Sequence, residues 1–191
     1  MTMASDISIA LHGAWRLALL DRGGMAFFDR SIAGFWRSYR AAIILYPAFL
    51  ILLVLPGGGG GADGESADWL RIILVETIGY VIAWTGFPLL MLPLTRFLGR
   101  EERWLDYMIA YNWSQVLQGG VLLASTLLAA SGLLPDALSG GIAVAASAAV
   151  LLYGWFIARV ALDTSGTAAV MIVLLDQFLA VLVSRIAQAL H

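Results

Sequence analysis

Five long apolar stretches constrain the fold of this chain more than any other feature. They lie at about 34–55, 70–95, 107–131, 138–158 and 166–188. Crossing the ~30 Å hydrocarbon layer of a bilayer takes about 20 helical residues, and each stretch is long enough. A helix also satisfies its own backbone hydrogen bonds, which lipid cannot do. The sequence therefore predicts an all-α polytopic membrane protein, with a bundle of five transmembrane helices in a domain covering 34–191.

The composition favours the same fold class. Hydrophobic residues make up 61% of the chain and charged residues only 13%, whereas about a quarter of a typical soluble domain is charged. So few charges cannot cover a water-exposed surface of this size. The formal net charge of −2 gives no reason to expect a nucleic-acid partner, because nucleic acids attract basic proteins.

The N-terminal segment 1–33 is predicted to contain an amphipathic interfacial helix at 5–21. Its apolar side chains recur at helical spacing, at Leu11, Trp15, Ala18 and Leu19. Two placements fit this pattern. The helix either lies among the lipid headgroups with this stripe in the acyl boundary, or docks on the protein's own cytoplasmic surface.

Aromatic and arginine side chains indicate where the chain meets the membrane surface. Tryptophan favours the membrane–water interface and arginine reaches out of it, so both types indicate lipid contact. The predicted contacts with membrane lipids are Trp15, Arg16, Trp36, Arg37 and Arg40.

The arginines also predict an orientation. Nine of them fall on the side of the membrane where the predicted topology places the N-terminus, and only Arg71 and Arg185 fall on the opposite side. Because basic residues concentrate in the cytoplasm, the N-terminus is predicted to be cytoplasmic and the C-terminus periplasmic. All basic residues are arginine, which suggests a GC-rich bacterium and hence its cytoplasmic (inner) membrane. The glycine-rich, acidic segment 56–68 is predicted to be the first outer loop.

Polar residues inside the apolar stretches are the candidate functional site. A charged group in the bilayer costs at least about 2.5 kcal/mol, so those that remain need a reason. The candidates are Asp176 and Gln177 in the fifth stretch, Glu76, Tyr80 and Trp84 in the second, and Asn112, Gln115 and Gln118 in the third. Asp176 either binds a cation or relays a proton, or its hydrogen-bonded carboxyl only joins helices.

Two further features have structural alternatives. Gly86, Pro88 and Pro93 are expected to kink the second helix and free backbone carbonyls. The amides of the third helix then either meet those carbonyls or line a cytoplasm-facing cavity for a lipid headgroup.

The fourth helix carries two rows of small residues for helix packing, Ser139, Ala143 and Ser147, and Gly141, Ala145 and Ala149. Their partner is either internal or a second subunit.

We expect no catalytic residue, no metal site and no cofactor. The chain has no cysteine, and its two histidines, His12 and His191, lie at opposite ends. Thiolate and histidine-cluster metal sites are therefore excluded. No serine–histidine pair or phosphate-binding loop has the required spacing.

The layout resembles the Yip-domain family of five-span membrane proteins over roughly 34–188. The resemblance rests on the inner loop Arg96-Phe-Leu-Gly-Arg-Glu-Glu-Arg-Trp-Leu and on the connection Trp155-Phe-Ile-Ala-Arg-Val-Ala-Leu-Asp-Thr-Ser-Gly-Thr-Ala. Gly79-Tyr80 is similar to a short family motif, whereas the Asp-Leu-Tyr-Gly-Pro motif of eukaryotic members is absent. The resemblance implies a membrane adaptor or lipid-organising role without catalytic residues.

Three functions are compatible with these features. The first is a non-enzymatic scaffold, accessory subunit or assembly and trafficking-type adaptor, with a protein partner or a homo-oligomer formed through the fourth helix. The second is a small transporter or proton-coupled carrier that uses Asp176 and Glu76. The third is a lipid-binding membrane protein.

Overall fold

The described residues form seven α-helices and two short 3-10 helices, with no strand among them. A computed structural model describes residues 3–55 and 69–190 of the chain. The α-helices are α1 (Met3–Ala18), α2 (Ile32–Ser38), α3 (Arg40–Val54), α4 (Trp69–Phe97), α5 (Trp104–Ala130), α6 (Asp136–Ala161) and α7 (Gly166–Gln188). The 3-10 helices are Arg22–Phe27 and Glu101–Arg103. The loop predicted at 56–68 lies outside the described residues.

Five segments are long and apolar enough to cross a membrane. They are α2 together with α3, and then α4, α5, α6 and α7. Large hydrophobic side chains on the outside of these helices are widely exposed, for example Leu89 at 65% and Leu174 at 56%. Such a surface suits lipid and not water. The prediction of an all-helical bundle with five spans is confirmed, and the chain is a multi-pass integral membrane protein.

The five spans enclose a central space. Helix α5 contacts α3 and α6, α7 contacts α6 and α4, and α4 also touches α5. Two tyrosine hydroxyls form hydrogen bonds between α3 and α4. Tyr46 Oη lies 2.8 Å from Thr77 Oγ1, and Tyr80 Oη donates to the carbonyl of Ala42 at 2.7 Å. Long aromatic side chains therefore bridge α3 and α4 where the other helices touch directly.

Helix α4 continues through the prolines at which the sequence predicted a kink and freed backbone carbonyls. Both Pro88 and Pro93 lie inside the helix Trp69–Phe97. A proline has no N–H, so the carbonyl of Trp84, four residues before Pro88, loses its helical donor. The Tyr39 hydroxyl donates to this carbonyl at 3.4 Å. Tyr39, the residue between α2 and α3, thus meets the freed carbonyl, which was one of the two partners considered for the amides of α5.

Helix α1 docks on the bundle through a face that overlaps the predicted stripe only in part. The buried side chains are Ala10, Ala14 and Leu17, and the helix contacts α5 and α6. Tyr153 Oη donates to the Ala14 carbonyl at 2.6 Å, which the small alanine side chain permits. Trp15 and Leu19 of the predicted stripe are 55% and 63% exposed. Leu11 and Ala18 of the same stripe pack against the core. The helix is therefore docked on the protein, and only Trp15 and Leu19 of the stripe are left available to lipid.

Carboxylates hold two of the arginines predicted to contact lipid. Arg16 Nε donates to Asp21 Oδ2 at 2.6 Å, and Arg37 pairs with Asp29. The Gly23 amide and the Arg16 guanidinium both donate to Asp21, and together they lower the pKa of that carboxyl below its usual range. Asp21 therefore stays charged at neutral pH, and this pair orders the turn after α1. Trp36 is exposed, and its lipid contact stays a prediction.

Candidate ligand-binding cavity

A cavity of about 440 Å³ lies between the five spans, and each of them contributes to its lining. We call it the central cavity. Its polar lining consists of Gln115, Gln118, Ser147, Asp176 and Gln177 together with the tyrosines Tyr80 and Tyr111. Aliphatic side chains and the rings of Phe49 and Trp84 supply most of the rest. An apolar cavity with a few polar groups is typical of a small-molecule site.

Asp176 supplies the only charge among the lining residues that the structure describes. Helix α7 begins at Gly166, so Asp176 lies about 15 Å along it at 1.5 Å per residue, near the middle of a ~30 Å layer. The Tyr111 hydroxyl donates to Asp176 Oδ1 at 2.7 Å. This bond fixes the carboxyl group and links α7 to α5, while the second carboxyl oxygen receives no hydrogen bond from residues 3–55 or 69–190.

The rings of Phe49, Tyr80 and Trp84 form an aromatic wall on the α3 and α4 side of the central cavity. The Phe49 and Tyr80 ring centroids are 4.8 Å apart, and those of Tyr80 and Trp84 are 6.0 Å apart. The bond from Tyr80 to the Ala42 carbonyl holds the middle ring in place. The wall therefore presents fixed aromatic surfaces, whose electron-rich faces attract cations.

Glutamines of α5 and α7 complete the polar lining. Gln118 is buried, and its Nε2 donates to Ser114 Oγ at 3.1 Å. Gln115 lies one turn after Tyr111 on the same helix, and Gln177 is adjacent to Asp176; both border the cavity. These neutral groups can donate to or accept from a ligand without adding charge.

The structure brings six of the eight predicted intramembrane residues to one cavity: Tyr80, Trp84, Gln115, Gln118, Asp176 and Gln177. Glu76 and Asn112 are buried outside its lining. Asn112 Nδ2 instead donates to Ser38 Oγ at 2.8 Å and ties α5 to α2. The predicted polar face of the third span is thus divided between a structural contact and the cavity.

Sequence reasoning missed Tyr111 and Phe49. Tyr111 precedes Gln115 by four residues, so following the helix face of Gln115 back by one turn would have found it. Phe49 carries no such signal, because an aromatic residue in an apolar stretch is usual. Ser147, predicted to serve helix packing, borders the cavity instead.

The second row of small residues on α6 packs against no other helix in the described part of the chain. Gly141, Ala145 and Ala149 are all exposed. A Cβ atom added to Gly141 would have no neighbour within 4 Å. This row is available to a partner in the membrane.

Comparison with protein-family models, with curated proteins and with solved structures found no match to the chain. The described residues hold no group of three or more potential metal-binding side chains. Any function must therefore be inferred from the cavity and the helix surfaces.

The bond between Tyr111 and Asp176 should be measurable as a coupling energy. We expect the changes in the free energy of unfolding caused by Tyr111→Phe and Asp176→Ala to be non-additive by about 0.6–1.7 kcal/mol. This is the range of hydrogen bonds between membrane helices. Reversible unfolding of the two single variants and the double variant in mixed micelles gives this number. Tyr46→Phe with Asp176→Ala is the control and should be additive, because Tyr46 bonds to Thr77. Equal coupling in both pairs would contradict the bond.

Proposed function

We propose that this protein binds a cationic amphipathic ligand in the central cavity and carries it within the membrane. The observation that supports this most is that Asp176 and the aromatic wall border the same cavity. A carboxylate attracts a cation by charge, and aromatic faces attract it by their quadrupole. The mainly apolar remainder of the lining suits the hydrophobic part of such a ligand.

The other classes of ligand fit less well. An anion would find no opposite charge, because among the lining residues that the structure describes none is basic. An uncharged ligand could donate a hydrogen bond to the carboxylate but would leave its charge uncompensated. A cation gives Asp176 an opposite charge in a place where an uncompensated one is costly.

Asp176 would also couple binding of the ligand to release of a proton. A carboxyl group without a ligand in lipid favours its neutral form. Cation binding would then release the proton from Asp176 to water, and cation release would take one up. This exchange is the basis of a proton-coupled carrier. The arginine distribution supports a bacterial cytoplasmic membrane with a cytoplasmic N-terminus and a periplasmic C-terminus.

The test compares two ligands that differ only in charge. Benzyltrimethylammonium and its uncharged isostere neopentylbenzene are titrated calorimetrically into the protein in lipid nanodiscs. We expect benzyltrimethylammonium to bind more tightly, and Asp176→Asn to weaken its binding about ten-fold or more, which is at least ~1.4 kcal/mol. Asp136→Asn, outside the cavity at the start of α6, is the control and should bind like the parent protein. Equal affinity in Asp176→Asn and the parent protein would rule the proposal out.

A scaffold or adaptor role is the second candidate, favoured by the exposed small row on α6. Small rows let helix backbones approach closely in lipid, and the resemblance to Yip-domain proteins points to the same role. The chain has no cysteine, so single-cysteine variants report one position each. We expect Ala145→Cys to form a disulfide-linked homodimer in native membranes, and Leu174→Cys, exposed on α7, to form none. Equal cross-linking at both positions would count against a contact through α6.

A further inference from the structure

A second cavity, of about 520 Å³, lies between the N-terminal segment and the bundle. We call it the N-terminal cavity. It is bordered by α1, by the chain between α1 and α2, by Arg37 of α2 and Arg40 of α3, and by Ile109 and Trp113 of α5. The α5 residues of the central cavity, such as Tyr111 and Gln115, are different ones. The two cavities are therefore separate sites.

Arg40 brings an unpaired positive charge to the N-terminal cavity. Its Nη1 atom is buried without a hydrogen-bond partner, and none of the ion pairs within residues 3–55 and 69–190 includes it. Its neighbour Arg37, in contrast, is paired with Asp29. A buried guanidinium N–H without a hydrogen-bond partner is costly, so Arg40 Nη1 favours the binding of an anion, which is its strongest acceptor.

Asp6 brings an unpaired negative charge to the same cavity. It lies in α1 and borders the cavity, and it forms no ion pair with the described part of the chain. Since Arg37 and Asp29 neutralise each other, the lining offers one unpaired cation and one unpaired anion. A ligand with a single charge would satisfy one of them and be repelled by the other. A ligand that carries both charges satisfies both.

The position of the cavity indicates where such a ligand comes from. Asp29 lies just before the span that begins at Ile32, and Arg40 lies within the first nine residues of that span. Ile109 lies equally close to the start of the span that begins at Glu101. The cavity is therefore near the ends of these spans, where lipid headgroups lie. A guanidinium group binds phosphate oxygens with two parallel hydrogen bonds. We propose that the N-terminal cavity binds a phospholipid with a zwitterionic headgroup, with its phosphate on Arg40 and its ammonium group near Asp6.

The experiment measures lipid binding by native mass spectrometry of the purified full chain. The probes are phosphatidylethanolamine and phosphatidylcholine, which are zwitterionic, and phosphatidylglycerol, which is net anionic. We expect both zwitterionic lipids to bind more tightly than phosphatidylglycerol. Arg40→Gln should weaken the binding of both about ten-fold or more, since it removes a charge-assisted hydrogen bond. Arg22→Gln, a nearby arginine outside the cavity lining, should bind like the parent protein.

Two further variants keep the test decisive if Arg40→Gln folds poorly. Arg40→Lys retains the charge and should retain part of the binding. Asp6→Asn, at a partly exposed site in α1, should remove the preference for zwitterionic lipids over phosphatidylglycerol. The proposal is overturned if Arg40→Gln binds lipid like the parent protein, or if phosphatidylglycerol is the preferred lipid. Binding of soluble O-phosphoethanolamine as tightly as of the lipid would overturn the lipid assignment.

Discussion

The hydrogen bond from Tyr111 to Asp176 is the interaction on which the interior of this protein depends. A carboxyl group about halfway along a transmembrane helix needs a donor, because lipid offers none. Tyr111 supplies it across the interface between α5 and α7. The bond points the carboxyl group toward the space between the spans and leaves one oxygen without a partner among the residues that the structure describes. A residue that would otherwise only destabilise the bundle thereby becomes the polar centre of a cavity.

Tyrosine hydroxyls serve the same purpose elsewhere in the bundle. Tyr39 donates to the carbonyl that Pro88 deprives of its helical donor, and Tyr80 donates to the Ala42 carbonyl. Both bonds join α3 to α4 through side chains and not through close backbone contact. This spacing leaves room for the central cavity, and the ring of Tyr80 forms part of its wall. The tyrosines that donate hydrogen bonds to backbone carbonyls within the bundle thus also shape the central cavity.

The sequence predicted the spans well and the site only in part. Span length and apolarity are local properties, so α4, α5, α6 and α7 begin and end within a few residues of their predicted bounds. The direction in which a side chain points depends on how each helix is rotated against its neighbours. That rotation brought Gln115 to the central cavity, whereas Asn112 contacts Ser38. Likewise α1 buries Ala14 and Leu17 and not Trp15, because its rotation against α5 and α6 decides which side chains face the bundle.

The most direct test is to ask whether a bound cation covers Asp176. A lipid-soluble carbodiimide modifies carboxyl groups in apolar surroundings, and mass spectrometry of the digested protein identifies the modified residue. We expect benzyltrimethylammonium to slow modification of Asp176, and neopentylbenzene to have a much smaller effect. Modification of Glu76, which lies outside the cavity lining, serves as the internal reference and should not change. An unchanged rate at Asp176 in the presence of saturating benzyltrimethylammonium would contradict a cation site in the central cavity.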